Sequence, residues 1–176
     1  VGRATELTEK DQIRISQKNI EFRKRLLSRP GAERLMSCYQ CGTCTSDCPV
    51  AKRVDEFRPR QIARLGMYGQ KDRLLGGDTI WLCAGCYTCY ERCPEKVRVS
   101  EIVSALRGMA VEEGLLHPTY RALMKSISDM GYIYEIGEFE NEMREEDGLP
   151  QAPEPGVEEI RAILRKTGFD RVTGRE

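Results

Sequence analysis

The sequence is short of several things, and each shortage excludes a class of function. Among 176 residues there is one histidine, His117. A bis-histidine haem site and the paired histidines of a Rieske centre are therefore excluded. No histidine-based acid–base constellation is visible either. No run approaches the roughly 18–20 apolar residues of a membrane span, which excludes an integral membrane subunit. Net charge is missing too: 28 Lys+Arg balance 28 Asp+Glu. The chain thus has no global electrostatic reason to bind nucleic acid or an anionic membrane. Val1–Lys10 is polar, with no apolar stretch of the signal-peptide kind, so a cytoplasmic protein is expected. G-x-G-x-x-G, Walker and H-E-x-x-H patterns are all absent. No long alternating strand is visible. With 40 % hydrophobic and 32 % charged residues, the core is thin.

What the chain does have is eight cysteines in one pattern used twice. Cys38, Cys41, Cys44 and Cys48 are spaced C-x2-C-x2-C-x3-C and followed by Pro49. Cys83, Cys86, Cys89 and Cys93 repeat the spacing 45 residues later, followed by Pro94. At that offset Thr43 matches Thr88, Arg53 matches Arg98 and Val54 matches Val99, which reads as a duplicated half-domain. Three thiolates at i, i+3 and i+6 on a curled loop can each reach one iron of a cubane, and a fourth sulfur must come from elsewhere. In two-cluster ferredoxin sequences the cysteine before proline ligates the other cluster. On that rule Cys38, Cys41, Cys44 and Cys93 hold one [4Fe–4S] cluster, and Cys83, Cys86, Cys89 and Cys48 hold the second. Structural zinc and a disulfide framework compete. Zinc rarely uses three cysteines so spaced, and disulfides need an oxidising compartment. With two clusters bound, eight lost thiol protons against a formal +2 per oxidised cube take the chain from zero to about −4. Arg53, Arg58, Arg60, Arg64, Arg92 and Arg98 lie near the ligands in sequence. They either offset that charge or are solvated helix residues.

The surrounding segments read as helix. Gln17–Ser28 is stopped by Arg29–Pro30–Gly31. The 34 residues between Cys48 and Cys83 hold a helix with Pro59 in its first turn and Ile62, Leu65 and Tyr68 at spacing three. Ser100 is a candidate N-cap for a helix with the stripe Ile102, Ala105, Leu106, Met109 and Ala110, ended by Gly114. His117 starts another helix at Pro118, which ends by Gly131. Ile13 and Ile15 suggest an extended arm. Residues 135–147 are acidic, and Pro150, Pro153 and Pro155 follow. A last amphipathic helix carries Val157, Ile160, Ile163 and Leu164. It either packs back or docks on a partner, and docking is the favoured expectation. The expected organisation is an N-terminal arm and helix over 1–34, a cluster domain over 35–131, and a tail over 132–176. With every cysteine used, no substrate site remains on this chain, and electron relay is the expected role.

The words between the cysteines add a resemblance. Cys38-Tyr-Gln-Cys-Gly-Thr-Cys44, Cys48-Pro-Val-Ala-Lys-Arg53, Phe57-Arg-Pro-Arg-Gln-Ile62 and Trp81-Leu-Cys-Ala-Gly-Cys-Tyr-Thr-Cys-Tyr-Glu-Arg-Cys-Pro94 resemble the C subunit of soluble heterodisulfide reductase from methanogenic archaea, most strongly over 35–130. The resemblance implies a mainly α, α-helical ferredoxin with two [4Fe–4S] clusters in the duplicated loops. It also implies partners: a flavin- and iron–sulfur-containing A subunit, a cysteine-rich B subunit that reduces the coenzyme M–coenzyme B disulfide, and a larger assembly with hydrogenase or formate dehydrogenase. No adjacent Cys-Cys pair of the B-subunit type is present. The competing assignments are the iron–sulfur subunit of a succinate- or glycolate-type flavin oxidoreductase, and a zinc-binding interaction module.

Overall fold

A computed structural model describes residues 13–169. The polar Val1–Lys10 segment and the last residues of the tail lie outside them. The described residues are helical and contain no strand. Nine α-helices run in order among them: α1 Gln17–Leu27, α2 Thr43–Ser46, α3 Pro59–Met67, α4 Lys71–Leu75, α5 Thr88–Glu91, α6 Val99–Glu112, α7 Pro118–Met130, α8 Glu138–Glu146 and α9 Val157–Thr167. Single 3₁₀ turns at Leu35–Ser37 and Thr79–Leu82 precede the two cysteine motifs. Residues 13–16, including Ile13 and Ile15, form no regular element. No helix among the described residues is long and apolar enough to cross a membrane.

The chain forms two compact units, divided between Leu115 and Leu116. The first is organised around α6. Its apolar face (Ile102, Val103, Leu106, Met109 and Ala110) is buried against α1, α3, α4 and the Thr79–Leu82 turn. Ala105 of the expected stripe is only half-buried. Leu26, Leu35, Phe57, Ile62, Leu74 and Ile80 complete this core with almost no exposed surface. Each such side chain contributes about 1.5–3 kcal/mol on burial. Leu35 and Ile80 stand at matching positions of the two halves, so each motif begins on a buried anchor.

Local chemistry accounts for most helix boundaries. Pro59 occupies the first turn of α3 and Pro118 that of α7, where a missing N–H costs nothing. His117 is the N-cap of α7, its Nδ1 accepting the Thr119 N–H at 3.2 Å. The intermotif segment holds two helices rather than one. The chain breaks after Tyr68 at Gly69, where an added Cβ would lie 1.9 Å from the Asn19 carbonyl oxygen. Ser100 is not the N-cap of α6. Arg98 holds that position, and Ser100 lies inside the first turn.

In the second unit α9 packs on α7. Arg161 Nε donates to the Ser128 carbonyl at 2.9 Å, and Ile160 reaches Gly131. One face of this helix is thus covered within its own unit. Ile163 remains exposed. The compositional boundary at 131/132 falls inside this unit, because α9 packs on α7.

Candidate metal centre

The two motifs have the same local build. Each leaves its 3₁₀ turn at a cysteine, curls through two left-handed residues, and enters one turn of α-helix. The left-handed positions correspond across the duplication: Gln40 and Gly85 have φ of 64° and 65°, Gly42 and Tyr87 of 92° and 58°. Each loop therefore has glycine at one of the two positions and accepts the strain of a side chain at the other. The curl presents Cys41 and Cys86 at the exposed rim and turns Cys44 and Cys89 inward.

The rim thiols have matching partners. Cys41 Sγ lies 3.4 Å from Thr43 Oγ1, and Cys86 Sγ lies 3.5 Å from Thr88 Oγ1. These hydroxyls favour the thiolates and pull both thiols below their ordinary range. The inward pair behaves oppositely. Burial pushes Cys44 up to about 11, against the Thr45 hydroxyl, and the neighbouring Cys89, Cys38 and Cys41 add to the rise. Burial also raises Cys89, against the Ser100 hydroxyl, with Cys83 and Cys48 adding. Cys44 and Cys89 thus lie near each other where α2 packs on α5. On the outer side of that contact Arg92 and Asp47, themselves equivalent positions, approach to 3.8 Å. Backbone amides reach the last cysteine of each motif: Ala51 N–H donates to Cys48 Sγ at 3.5 Å, and Val97 N–H to Cys93 Sγ at 3.2 Å. Gln40 Nε2 donates to Cys38 Sγ at 3.2 Å.

Cys48, from the first motif, shares a recess with Cys83, Cys86 and Cys89 of the second. The recess is otherwise walled largely by apolar groups such as Val50, Phe57 and Val103. For the first motif, Cys44 feels Cys38 and Cys41, and the Tyr39 hydroxyl feels Cys41 and, more weakly, Cys93. No three His, Cys, Asp or Glu groups among the described residues converge closely enough to hold a single metal ion. Four sulfurs around an apolar recess, with amide and hydroxyl donors aimed at them, fit a larger sulfur-ligated group.

Two residues outside the cysteine pattern shape the second motif. Arg107 of α6 donates from Nε to the Ile80 carbonyl at 2.9 Å, and from Nη2 to those of Trp81 and Cys83 at 3.0 and 2.7 Å. Its guanidinium also lies over the Trp81 ring. Ser100 lines the recess. Neither role belongs to a spacing pattern, so no local signal in the sequence marks it. Of the arginines near the motifs, Arg58, Arg60 and Arg64 border a polar groove beside Cys41. Arg98 pairs with Glu101 and lies over Tyr90, and Arg53 is exposed.

Residues 34–97 match the family model described as a 4Fe-4S dicluster domain. The chain is 34 % identical to the C subunit of the H(2):CoB-CoM heterodisulfide,ferredoxin reductase of Methanothermobacter marburgensis, over 94 % of this chain and 92 % of that protein. It is 34 % identical to the iron-sulfur C subunit of the CoB--CoM heterodisulfide reductase of Methanopyrus kandleri, over 80 % and 76 %. It is 33 % identical to a protein of Archaeoglobus profundus named for its likeness to the heterodisulfide reductase C subunit, over 92 % and 86 %. Duplicated cysteine loops on a helical frame, and relatives of this name along nearly the whole length, place the chain in the family of heterodisulfide reductase C subunits, as an iron–sulfur electron-transfer component of an oxidoreductase.

Proposed function

We propose that the chain is a two-cluster relay that carries electrons from a flavin-containing A subunit to a cysteine-rich B subunit, where the coenzyme M–coenzyme B disulfide is reduced. The observation that carries the relay is the recess shared by Cys48 with Cys83, Cys86 and Cys89. It favours crossed ligation: Cys83, Cys86, Cys89 and Cys48 for one [4Fe–4S] cluster, and Cys38, Cys41, Cys44 and Cys93 for the other. When bound, the clusters supply one-electron transfer.

The protein's own residues hold and shield that chemistry. Cys44 and Cys89, partly buried and close enough to interact, bring the inner sides of the two motifs together. Cys41 and Cys86, exposed on the rims, give each site an outward edge toward a partner. Thr43 and Thr88 steady the rim thiolates, and Arg107 holds the second loop in shape. Eight unpaired cysteines suit a reducing, cytoplasmic setting. The names of the relatives support the heterodisulfide assignment, and a hydrogenase or formate dehydrogenase completes the proposed assembly.

Iron and acid-labile sulfide analysis of the anaerobically purified chain tests the cofactor, with about eight irons per chain expected from two cubanes. Stoichiometric zinc without iron overturns it. Native purification from the source cells tests the partners. A flavoprotein and a cysteine-rich protein are expected; a succinate or glycolate dehydrogenase in their place refutes the assignment.

A further inference from the structure

Ser100 is only 4 % exposed, and its Oγ is the one buried side-chain oxygen or nitrogen among the described residues that forms no hydrogen bond. A sealed hydroxyl without a partner is costly, and native interiors rarely retain one without a reason. Capping is not the reason, since α6 is capped at Arg98 without side-chain help. The hydroxyl faces the recess that Ser100 lines with Cys48, Cys83, Cys86 and Cys89, and the thiolate it favours there is that of Cys89. Four sulfurs line that recess, and the hydroxyl has a proton to give toward them.

We propose that Ser100 is a positioning residue that donates a hydrogen bond to sulfur in this recess, to the Cys89 thiolate or an adjoining cluster sulfide, and thereby raises the reduction potential of the cluster bound there. The inference rests on the cluster reading above. A donor at sulfur stabilises the more negative, reduced form, and such bonds are one of the levers by which proteins set cluster potentials. The sealed position matters, because no water competes for the proton.

The duplication sharpens the point. The position equivalent to Ser100 is Asp55, an exposed carboxylate paired with Arg58 at 3.0 Å, which cannot donate when ionised. The first half uses a different hydroxyl, Thr45, beside Cys44. Thr45 Oγ1 already accepts the Arg60 N–H at 2.9 Å and borders the open polar groove. One site thus has a sealed donor and the other a solvent-bordered one. Two loops of equal spacing are made electrically unequal, which gives a relay an order.

The test is an EPR-monitored redox titration of the full chain carrying both clusters, in Ser100, Ser100→Ala and Ser100→Thr forms. Ser100→Ala removes one oxygen from a wall position. The expected result is a lower midpoint for one cluster only, by up to about tenfold in its one-electron reduction equilibrium, equivalent to about 59 mV. Ser100→Thr keeps the hydroxyl and returns the midpoint toward the original. If Ser100→Ala does not retain its cluster, Ser100→Gly removes the same hydroxyl and is titrated instead. Unchanged midpoints, or equal shifts in both clusters, overturn the role of Ser100 while leaving the relay intact. Absence of iron and sulfide from the unmodified chain overturns the relay itself and is established before any variant is compared.

Discussion

Arg107→Ala is the perturbation that best separates this structure from any two-loop chain of the same cysteine spacing. One guanidinium ties the carbonyls of Ile80, Trp81 and Cys83 to α6. A hydrogen bond to a charged donor contributes about 1.5–3 kcal/mol. The three share one side chain and are not independent, so their joint loss is set at about 3–5 kcal/mol. Alanine is as good a helix former as arginine or better, so α6 itself is not weakened. The cost falls on the turn that leads into Cys83. A local opening made easier by about 3–5 kcal/mol exchanges its amides roughly 10²- to several thousand-fold faster. Anaerobic hydrogen–deuterium exchange read by mass spectrometry, on peptides covering 79–86, measures this. The matching turn, Leu35–Ser37, serves as the control, because the position equivalent to Arg107 is Ile62, which makes no such clamp. Arg107→Lys has one charged nitrogen for three acceptors and falls between the two. Exchange in 79–86 indistinguishable from the unmodified chain, or equal acceleration in both turns, refutes the reasoning.

Three further outcomes are expected. Cys48→Ala disturbs the cluster held by Cys83, Cys86 and Cys89 rather than that of its own motif, as seen by cluster-resolved EPR; selective loss of the Cys38–Cys44 signal contradicts crossed ligation. Glu113 joins α6 to Arg25 of α1 at 2.6 Å and Lys71 of α4 at 2.7 Å; burial raises its carboxyl, but the bonds and charges of Lys71 and Arg25 outweigh this and hold it below its ordinary 4.5. Because the folded value is the lower one, the stabilisation is complete above the unfolded value and is lost as pH falls through the folded value. Glu113→Gln therefore costs about 1 kcal/mol near neutrality, after discount for the exposed Arg25 and Lys71, and the gap in thermal midpoint between the two forms closes on acidification; a constant gap counts against the ion pair. Gly85→Ala meets nothing within 4 Å and costs about 1–2 kcal/mol from backbone strain alone, as Gln40 already bears in the other half; a loss of folding in thermal melts argues against the equivalence of the two loops.

Much of the helical frame is legible in the sequence because its signals are local. Pro59 and Pro118 mark starts that the structure keeps, Gly114 and Gly131 follow their helices, and the apolar stripe on α6 is buried as its spacing implies. Where sequence and structure part, a distant contact intervenes. Tyr68 ends α3 because Gly69 must pass under the Asn19 carbonyl, fifty positions away. Helix α8 reads in the sequence only as an acidic stretch, since its charged residues hide what little apolar period it has.

The sequence by itself determined the chemistry available: eight thiols, in two equal loops, each closed by proline, with one histidine and no other cofactor motif. Spacing along a chain is a local property, so it can be read without coordinates. Tertiary structure decided what those thiols meet. It brought Cys48 beside Cys83, Cys86 and Cys89, set Cys44 against Cys89, put Ser100 on the wall of a recess rather than at a cap, and gave Arg107 to one loop and not the other. Those outcomes depend on which buried faces α6 presents to both halves at once. Long-range packing of that kind leaves no period in the sequence, and it is what makes two loops of identical spacing chemically different.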